Sequence, residues 1–178
     1  PFDRKMKKYT SFARFQLRKD LPEAEQQKLR DSLAAYRRVI VTVTEQRLAP
    51  YQSFFAKFAP ESPVIYVFYT PAKSMLQIQR AVSAAEAVVL AHASRDDVQE
   101  RVADLLFGKA TADGRLSASI GGLFPTGSGV TITPHTPFHF VPEEYGMKSE
   151  VLRRIDTIAL EGIKEGAYPG CQVLVMKD

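Results

Sequence analysis

Three short apolar runs stand out in the first two thirds of the chain and predict β-strands. They are rich in Val, Ile and Ala and lack the alternation of apolar and polar residues that is typical of a strand exposed on one face. Continuous apolar runs of this kind are typical of parallel strands that are covered on both faces. The predicted strands lie at residues 39–44, 64–69 and 87–91.

Between these strands, apolar residues recur every three or four positions, which is the period of an amphipathic helix. Asp20 and Glu23 form a capping-box pattern at the start of the first predicted helix. Ser94 is expected to cap the helix that follows the third strand, and Gly108 to end it. The helices before Ser94 are predicted near residues 21–36, 51–58 and 75–82.

Strands that alternate with helices predict an α/β fold: an open, mainly parallel sheet sandwiched between helices, with the layering of flavodoxin. This sandwich is expected to span residues 20–122. Gly and Pro then interrupt the periodic patterns, so residues 123–148 are predicted to be a linker. Residues 149–178 contain a predicted terminal helix and a strand that begins at 173, which indicates the start of a further, truncated domain.

With 178 residues, 45% of them hydrophobic and 25% charged, the chain has the composition of a folded protein rather than a disordered one. No apolar stretch approaches the roughly 20 residues that cross a bilayer, so we expect no membrane span. Because the chain begins with Pro1 rather than Met, we expect an excised piece of a longer protein. The single cysteine, Cys171, excludes an intrachain disulfide and is expected to be a packed thiol.

Residues 1–19 form a basic leader, in which seven Lys or Arg residues face one acidic residue, Asp3. The rest of the chain is close to neutral. A nucleic-acid-binding domain normally carries a basic stripe along its folded body, so we expect no nucleic-acid partner. The leader is instead predicted to be a solvated, frayed segment.

Two segments of the chain carry motifs of a known protein family. Leu106–Gly108 (Leu-Phe-Gly) follows a predicted helix and precedes Gly114–Ser119 (Gly-Arg-Leu-Ser-Ala-Ser). This order resembles the closing motif of the C-terminal α/β sandwich of glycoside hydrolase family three, which usually has proline at the position of Ser117. Upstream, Phe68–Pro71 resembles the family's strand that ends in a proline turn.

The end of the chain resembles a second superfamily. Residues 161–178 are similar to the first helix and strand of serine β-lactamases and penicillin-binding proteins, and residues 138–144 resemble the junction found in bacterial β-N-acetylglucosaminidase-type family-three proteins fused to such a domain. No serine has a lysine three positions later, so any Ser-x-x-Lys nucleophile is expected beyond Asp178.

The resemblance implies a bacterial hydrolase of carbohydrate metabolism that cleaves β-linked glycosides, as a β-N-acetylhexosaminidase does. In that family the nucleophilic Asp lies on a preceding (β/α)8 barrel. Retaining glycosidases need two carboxyl groups about 5–5.5 Å apart, so the chain alone is expected to be a noncatalytic domain that braces the barrel and walls its sugar site. The implied partners are that barrel, the β-lactamase-like domain and a carbohydrate substrate, and the implied compartment is the periplasm or the extracellular space.

Open α/β sheets bind ligands at the carboxyl ends of their strands. Polar residues follow the second and third predicted strands at that edge, and they are the candidate substrate-binding residues, whereas no catalytic residue is predicted. The candidates are Thr70, His92, Ser94, Arg95 and Asp96.

No metal or cofactor is expected. His135 and His139 have a helical spacing for metal ligands, but Pro134 and Pro137 exclude the helix. The chain also lacks a Gly-x-Gly-x-x-Gly or Walker motif. Two alternatives to the glycosidase domain stay open. One is a free-standing flavodoxin-like binding or regulatory module that holds a small anionic ligand. The other is an interaction domain whose basic leader recruits an acidic partner.

Overall fold

The computed structural model describes residues 1–58, 62–134, 142–173 and 175. The chain divides into two compact units, Pro1–Pro134 and His135–Asp178. In the first unit, three parallel strands form an open sheet in the order β1-β2-β3. The strands are β1 (Val39–Val43), β2 (Val64–Phe68) and β3 (Ala87–Leu90). The predicted α/β class with an open parallel sheet is therefore confirmed.

Helices connect the strands of the first unit as the periodic pattern predicts. The third and fourth α-helices each follow directly on a 3-10 helix, so neither is α-helical over its full predicted length. The α-helices described there are α1 (Phe2–Met6), α2 (Glu23–Ala34), α3 (Gln52–Lys57), α4 (Gln79–Ser83) and α5 (Asp96–Leu106), and the 3-10 helices are Ala49–Tyr51 and Ala72–Ile78.

The sheet is covered on both faces, which explains why its strands are apolar throughout. One core contains Tyr66 and Phe68 of β2, and the apolar side chains of α2, α3 and α4 pack there. The opposite core contains Val67 of β2, and α1 and α5 supply its helical side chains. Tyr66, Val67 and Phe68 are each at most 1% exposed, so β2 is the centre of the fold.

The start of the leader belongs to this fold. Phe2 and Met6 lie four residues apart on α1 and are buried beside Val102 and Ala103 of α5. The expectation of a solvated, frayed leader is therefore wrong for α1. The physical reason is that an apolar pair within one short helix fills the space above β2, although charged residues surround the pair in the sequence.

The predicted caps of α2 and α5 are wrong as well. Neither helix has a side-chain hydrogen bond at its N-terminal cap. Asp20 instead adopts a left-handed φ of 55°, outside the helix. The Ser94 hydroxyl accepts a hydrogen bond from Gln99 Nε2 at 3.2 Å rather than from the helix backbone. Gly108, with a φ of 67°, lies just past the end of α5 as predicted.

The second unit contains the predicted terminal helix, α6 (Ser149–Lys164), and a 3-10 helix at Pro142–Tyr145. The Glu143 carboxylate accepts hydrogen bonds from the backbone N–H and the hydroxyl of Ser149, at 2.8 and 2.9 Å. Cys171 is exposed, so the prediction of a packed thiol is wrong. Leu174 and Met176 of the predicted final strand lie outside the described residues. The division into leader, sandwich, linker and truncated domain stays a prediction.

Candidate functional site

The loop after α5 folds back beside the carboxyl edge of the sheet. This motif loop, residues 112–132, is closed by an antiparallel bridge between Ala112 and Ile132. Inside it, the Leu116 N–H donates to the Ser128 carbonyl at 2.9 Å. Ile120 is 5% exposed and Leu116 is partly buried, and both pack against the core that contains Phe68. The sandwich therefore holds the Gly-Arg-Leu motif at a defined place.

A cavity of about 230 Å³ opens between this loop and the ends of the strands. Lys73, which follows β2, and His92, which follows β3, line it together with the motif loop. No Asp or Glu belongs to this lining. We call it the carboxyl-edge cavity; its lining residues are Ala72, Lys73, Leu76, His92 and Arg115–Gly121.

His92 has an uncommon backbone conformation. Its φ is 62°, in the left-handed region that few residues other than glycine adopt. The neighbouring hydrogen bond from the Ala91 N–H to the Phe68 carbonyl, at 2.8 Å, holds the chain just before the turn. Such conformations are concentrated at functional sites, where the surrounding structure maintains them. The turn follows directly after β3, at the point where His92 lines the cavity.

Arg115 stabilises the motif loop itself. Its Nη1 donates to the carbonyl groups of Asp113 and Gly114 at 3.1 and 3.2 Å, and its Nη2 donates to the Thr131 hydroxyl at 2.8 Å. Most of its hydrogen-bonding capacity is therefore used within the loop. Lys73, by contrast, forms no salt bridge with any carboxylate in the described part of the chain.

Thr70 lies in the core rather than on the cavity. It is 2% exposed, and its hydroxyl is 2.6 Å from the hydroxyl of Ser74, which is 1% exposed. Because the Ser74 hydroxyl donates to the Pro71 carbonyl at 2.8 Å, Thr70 is the donor to Ser74. This chain of hydrogen bonds stabilises the turn between β2 and the 3-10 helix that carries Lys73.

Ser94, Arg95 and Asp96 lie at the start of α5 and do not line the cavity. Arg95 forms an exposed salt bridge with Asp97 at 2.5 Å. The hydrogen bond from Arg95 lowers the pKa of the Asp97 carboxyl below its ordinary value. Of the five predicted residues, only His92 lines the cavity. Contact between any of the five and a sugar stays a prediction.

Sequence reasoning missed the residues that the motif loop contributes, above all Ser117 and Ser119. The family-like motif was a signal in this segment, but nothing in the spacing predicts that the loop lies beside β3. That placement depends on the burial of Leu116 and Ile120, which are more than 25 residues beyond the strand.

The described residues contain no group of three or more His, Cys, Asp or Glu side chains that could hold a metal ion. His135 and His139 lie outside the described residues. Among the helices that the structure describes, none has the length and apolar character to cross a membrane.

Comparisons of the chain with protein-family models, with curated proteins and with solved structures found no match. The chemistry of the site must therefore be argued from its own residues.

Proposed function

We propose that this chain is the noncatalytic C-terminal sandwich domain of a family-three-like β-glycosidase, with a β-N-acetylhexosaminide as the expected substrate. Its role is to brace a catalytic barrel and to wall one side of the sugar site. One observation carries the proposal. Ala72 and Lys73, which directly follow the family-like segment Phe68–Pro71, line one cavity together with Arg115–Ser119 of the family-like motif.

The lining of this cavity suits a sugar more than it suits bond cleavage. The ammonium group of Lys73, the imidazole of His92 and the hydroxyls of Ser117 and Ser119 can hydrogen-bond sugar hydroxyl or acetamido groups. A retaining glycosidase uses two carboxyl groups about 5–5.5 Å apart. Since the lining contains no carboxylate, the nucleophile and the acid must come from another domain.

The first test compares this chain with its parent protein on p-nitrophenyl N-acetyl-β-D-glucosaminide. We expect the parent to release nitrophenol and the chain alone to release none. The coding sequence upstream should encode a barrel of about 300 residues, the size of an eight-fold barrel with its loops. Turnover by the chain alone, or a parent without the barrel, would contradict the proposal.

The second test asks whether the cavity contacts the sugar. In the parent, Lys73→Ala should raise KM for the same substrate about tenfold, because a hydrogen bond from a charged donor is worth about 1.5 kcal/mol. Arg95→Ala is the matched control, since it also removes an exposed cation near this edge but lies off the cavity lining. Equal KM values for the two variants would show that the cavity does not bind the sugar.

One observation favours the alternative of a free-standing module for a small anion. The cavity is lined by Lys73, His92 and Arg115 without an acidic side chain, so its electrostatic potential favours an anion. Titration of the chain with inorganic phosphate and with N-acetylglucosamine, followed by NMR shifts of the His92 backbone amide, separates the two functions. A response to phosphate alone, together with an upstream sequence that lacks a barrel, would support the alternative.

A further inference from the structure

The side chains that line the carboxyl-edge cavity include many hydrogen-bond donors and few acceptors. No Asp, Glu, Asn or Gln belongs to the lining, whereas the basic residues Lys73, His92 and Arg115 do. Each hydroxyl of a neutral sugar donates a hydrogen bond as well as accepting one. A donor that finds no acceptor in a binding site costs free energy. The lining therefore matches a sugar with an anionic group better than it matches a neutral sugar.

Carboxylates of the chain do not neutralise the positive charges at this cavity. Neither Lys73 nor Arg115 takes part in a salt bridge among the residues that the structure describes. Arg115 donates to two backbone carbonyls and to the Thr131 hydroxyl, and these acceptors are all neutral. Its hydrogen bonds therefore hold the guanidinium in place without cancelling its charge. The resulting positive potential favours an anionic ligand.

The motif loop adds backbone donors to the same lining. The N–H groups of Leu116 and Ile120 donate to the carbonyls of Ser128 and Phe124, at 2.9 and 2.8 Å. Between these two anchored positions, the N–H groups of residues 117–119 have no backbone acceptor within the described ranges of the chain. All three of these residues line the cavity. Successive backbone N–H groups without partners can together bind an anion.

The supply of donors favours a tetrahedral oxyanion over a carboxylate. A phosphate or sulfate ester presents three terminal oxygens as acceptors, whereas a carboxylate has two. The donors at the cavity are the ammonium group of Lys73, the hydroxyl of Ser117 and the N–H groups of residues 117–119. The Ser119 hydroxyl already accepts a hydrogen bond from the Thr126 N–H at 3.0 Å. A group with three acceptor oxygens can use more of these donors than a carboxylate can.

We infer that the carboxyl-edge cavity binds a phosphate or sulfate ester that the sugar substrate carries. The ammonium group of Lys73 and the N–H groups of residues 117–119 hold the ester oxygens, and the charge of Arg115 attracts them from within the loop. The inference rests on the proposed function and narrows its substrate to an anionic N-acetylhexosaminide. The role of these groups is binding, and no bond is made or broken at the cavity.

The test measures binding to the whole chain by NMR. The probes are N-acetylglucosamine, its 6-phosphate, its 6-sulfate and inorganic phosphate. At low salt, at least one ester should bind about tenfold more tightly than the neutral sugar and than inorganic phosphate, and it should shift the amide signals of residues 117–119. Comparison of the two esters identifies the oxyanion. The preference for the ester should decrease as the NaCl concentration rises, because salt screens charges at an open cavity.

Lys73→Ala should remove most of the preference for the ester, whereas Lys73→Arg keeps the charge and should retain it. Arg95→Ala is the matched control, because it removes an exposed cation that pairs with Asp97 and lies off the lining. This control should bind the ester like the wild type. Lys73 is exposed, so its replacement should leave the fold intact. The NMR spectrum of each variant checks this, and if Lys73→Ala unfolds, the wild-type titrations and Lys73→Arg decide.

Three results would overturn the inference. One is a neutral sugar that binds as tightly as both esters, or no binding of either ester. Another is inorganic phosphate that binds as tightly as the esters, which would indicate an anion site without a sugar. The third is a preference for the ester that Lys73→Ala leaves unchanged.

The proposed function fails or stands on other observations, namely the release of nitrophenol by the parent and the presence of an upstream barrel. A parent that cleaves the neutral substrate, together with a chain that does not prefer the esters, would refute the inference and leave the proposed function in place. Ester binding by the chain, together with a parent that has no barrel and no turnover, would refute the proposed function instead.

Discussion

Tyr69→Phe is expected to stabilise the first unit. The substitution removes a buried hydroxyl from the core and keeps the aromatic ring. Tyr69 is 5% exposed, and its hydroxyl has no hydrogen-bond partner in the part of the chain that the structure describes. Burial, with a further contribution from Asp3, raises the pKa of this hydroxyl, so it stays neutral at ordinary pH. The ring packs edge-on against Phe2, with ring centroids 6.4 Å apart, and phenylalanine keeps that contact.

The magnitude follows from the desolvation of the hydroxyl. A buried polar group without a partner costs about 1–3 kcal/mol, and its removal returns that free energy to the folded state. For a unit of 134 residues, the unfolding entropy is about 0.28 kcal/mol per kelvin, so Tm should rise by about 4–11 °C. Differential scanning calorimetry and urea unfolding of the whole chain measure both quantities.

Tyr51→Phe is the matched control for this change. The Tyr51 hydroxyl donates to the Glu45 carboxylate at 3.0 Å, so the same chemical change removes a hydrogen bond to a charged acceptor. We expect it to lower the free energy of unfolding by about 1.5 kcal/mol. If Tyr69→Phe lowers the free energy of unfolding as much as this control does, the Tyr69 hydroxyl has a partner and the reasoning is refuted.

Two further predictions concern the contact between α1 and α5 and the motif loop. Partial burial tends to raise the pKa of Asp104, but hydrogen bonds from Tyr9 and Lys5 outweigh it and lower that pKa below its ordinary value. The resulting stabilisation is complete above about pH 4, the range of an unfolded Asp, and declines as pH falls through the folded pKa. Between pH 7 and pH 3, the free energy of unfolding in urea should therefore fall less for Asp104→Asn than for the wild type. An equal fall in both proteins would contradict this. A β-carbon at Gly129 would lie 2.2 Å from the Gly114 carbonyl oxygen, so Gly129→Ala should displace the motif loop and shift the amide signals of the cavity, whereas an unchanged spectrum would contradict that close approach.

The sheet could be predicted from sequence because each strand is a continuous apolar run, which is typical of parallel strands between two layers of helices. The same reasoning could not find α1. Its helix has five residues, too few to display a period, and Phe2 and Met6 become core residues only through α5, nearly a hundred positions away.

The candidate site could be predicted only in part, for a similar reason. The rule that ligands bind at the carboxyl ends of strands correctly places His92 at the cavity. The rule does not say which polar residues near those ends form hydrogen bonds or salt bridges with other residues of the chain. Thr70 is hydrogen-bonded in the core and Arg95 pairs with Asp97, and both outcomes depend on local contacts that spacing does not contain.

The contact of α1 with α5 also has a consequence for how the protein forms on the ribosome. The Phe2 N–H donates to the Gln99 side chain at 3.4 Å, and Arg4 pairs with Glu100 at 2.7 Å, across 97 and 96 positions of the chain. At a translation rate of about 5–20 residues per second, about 5–20 s pass between the synthesis of α1 and the synthesis of α5. During this interval Phe2 and Met6 are uncovered, so the nascent chain presents a small apolar segment surrounded by positive charge, which is a favourable target for a chaperone.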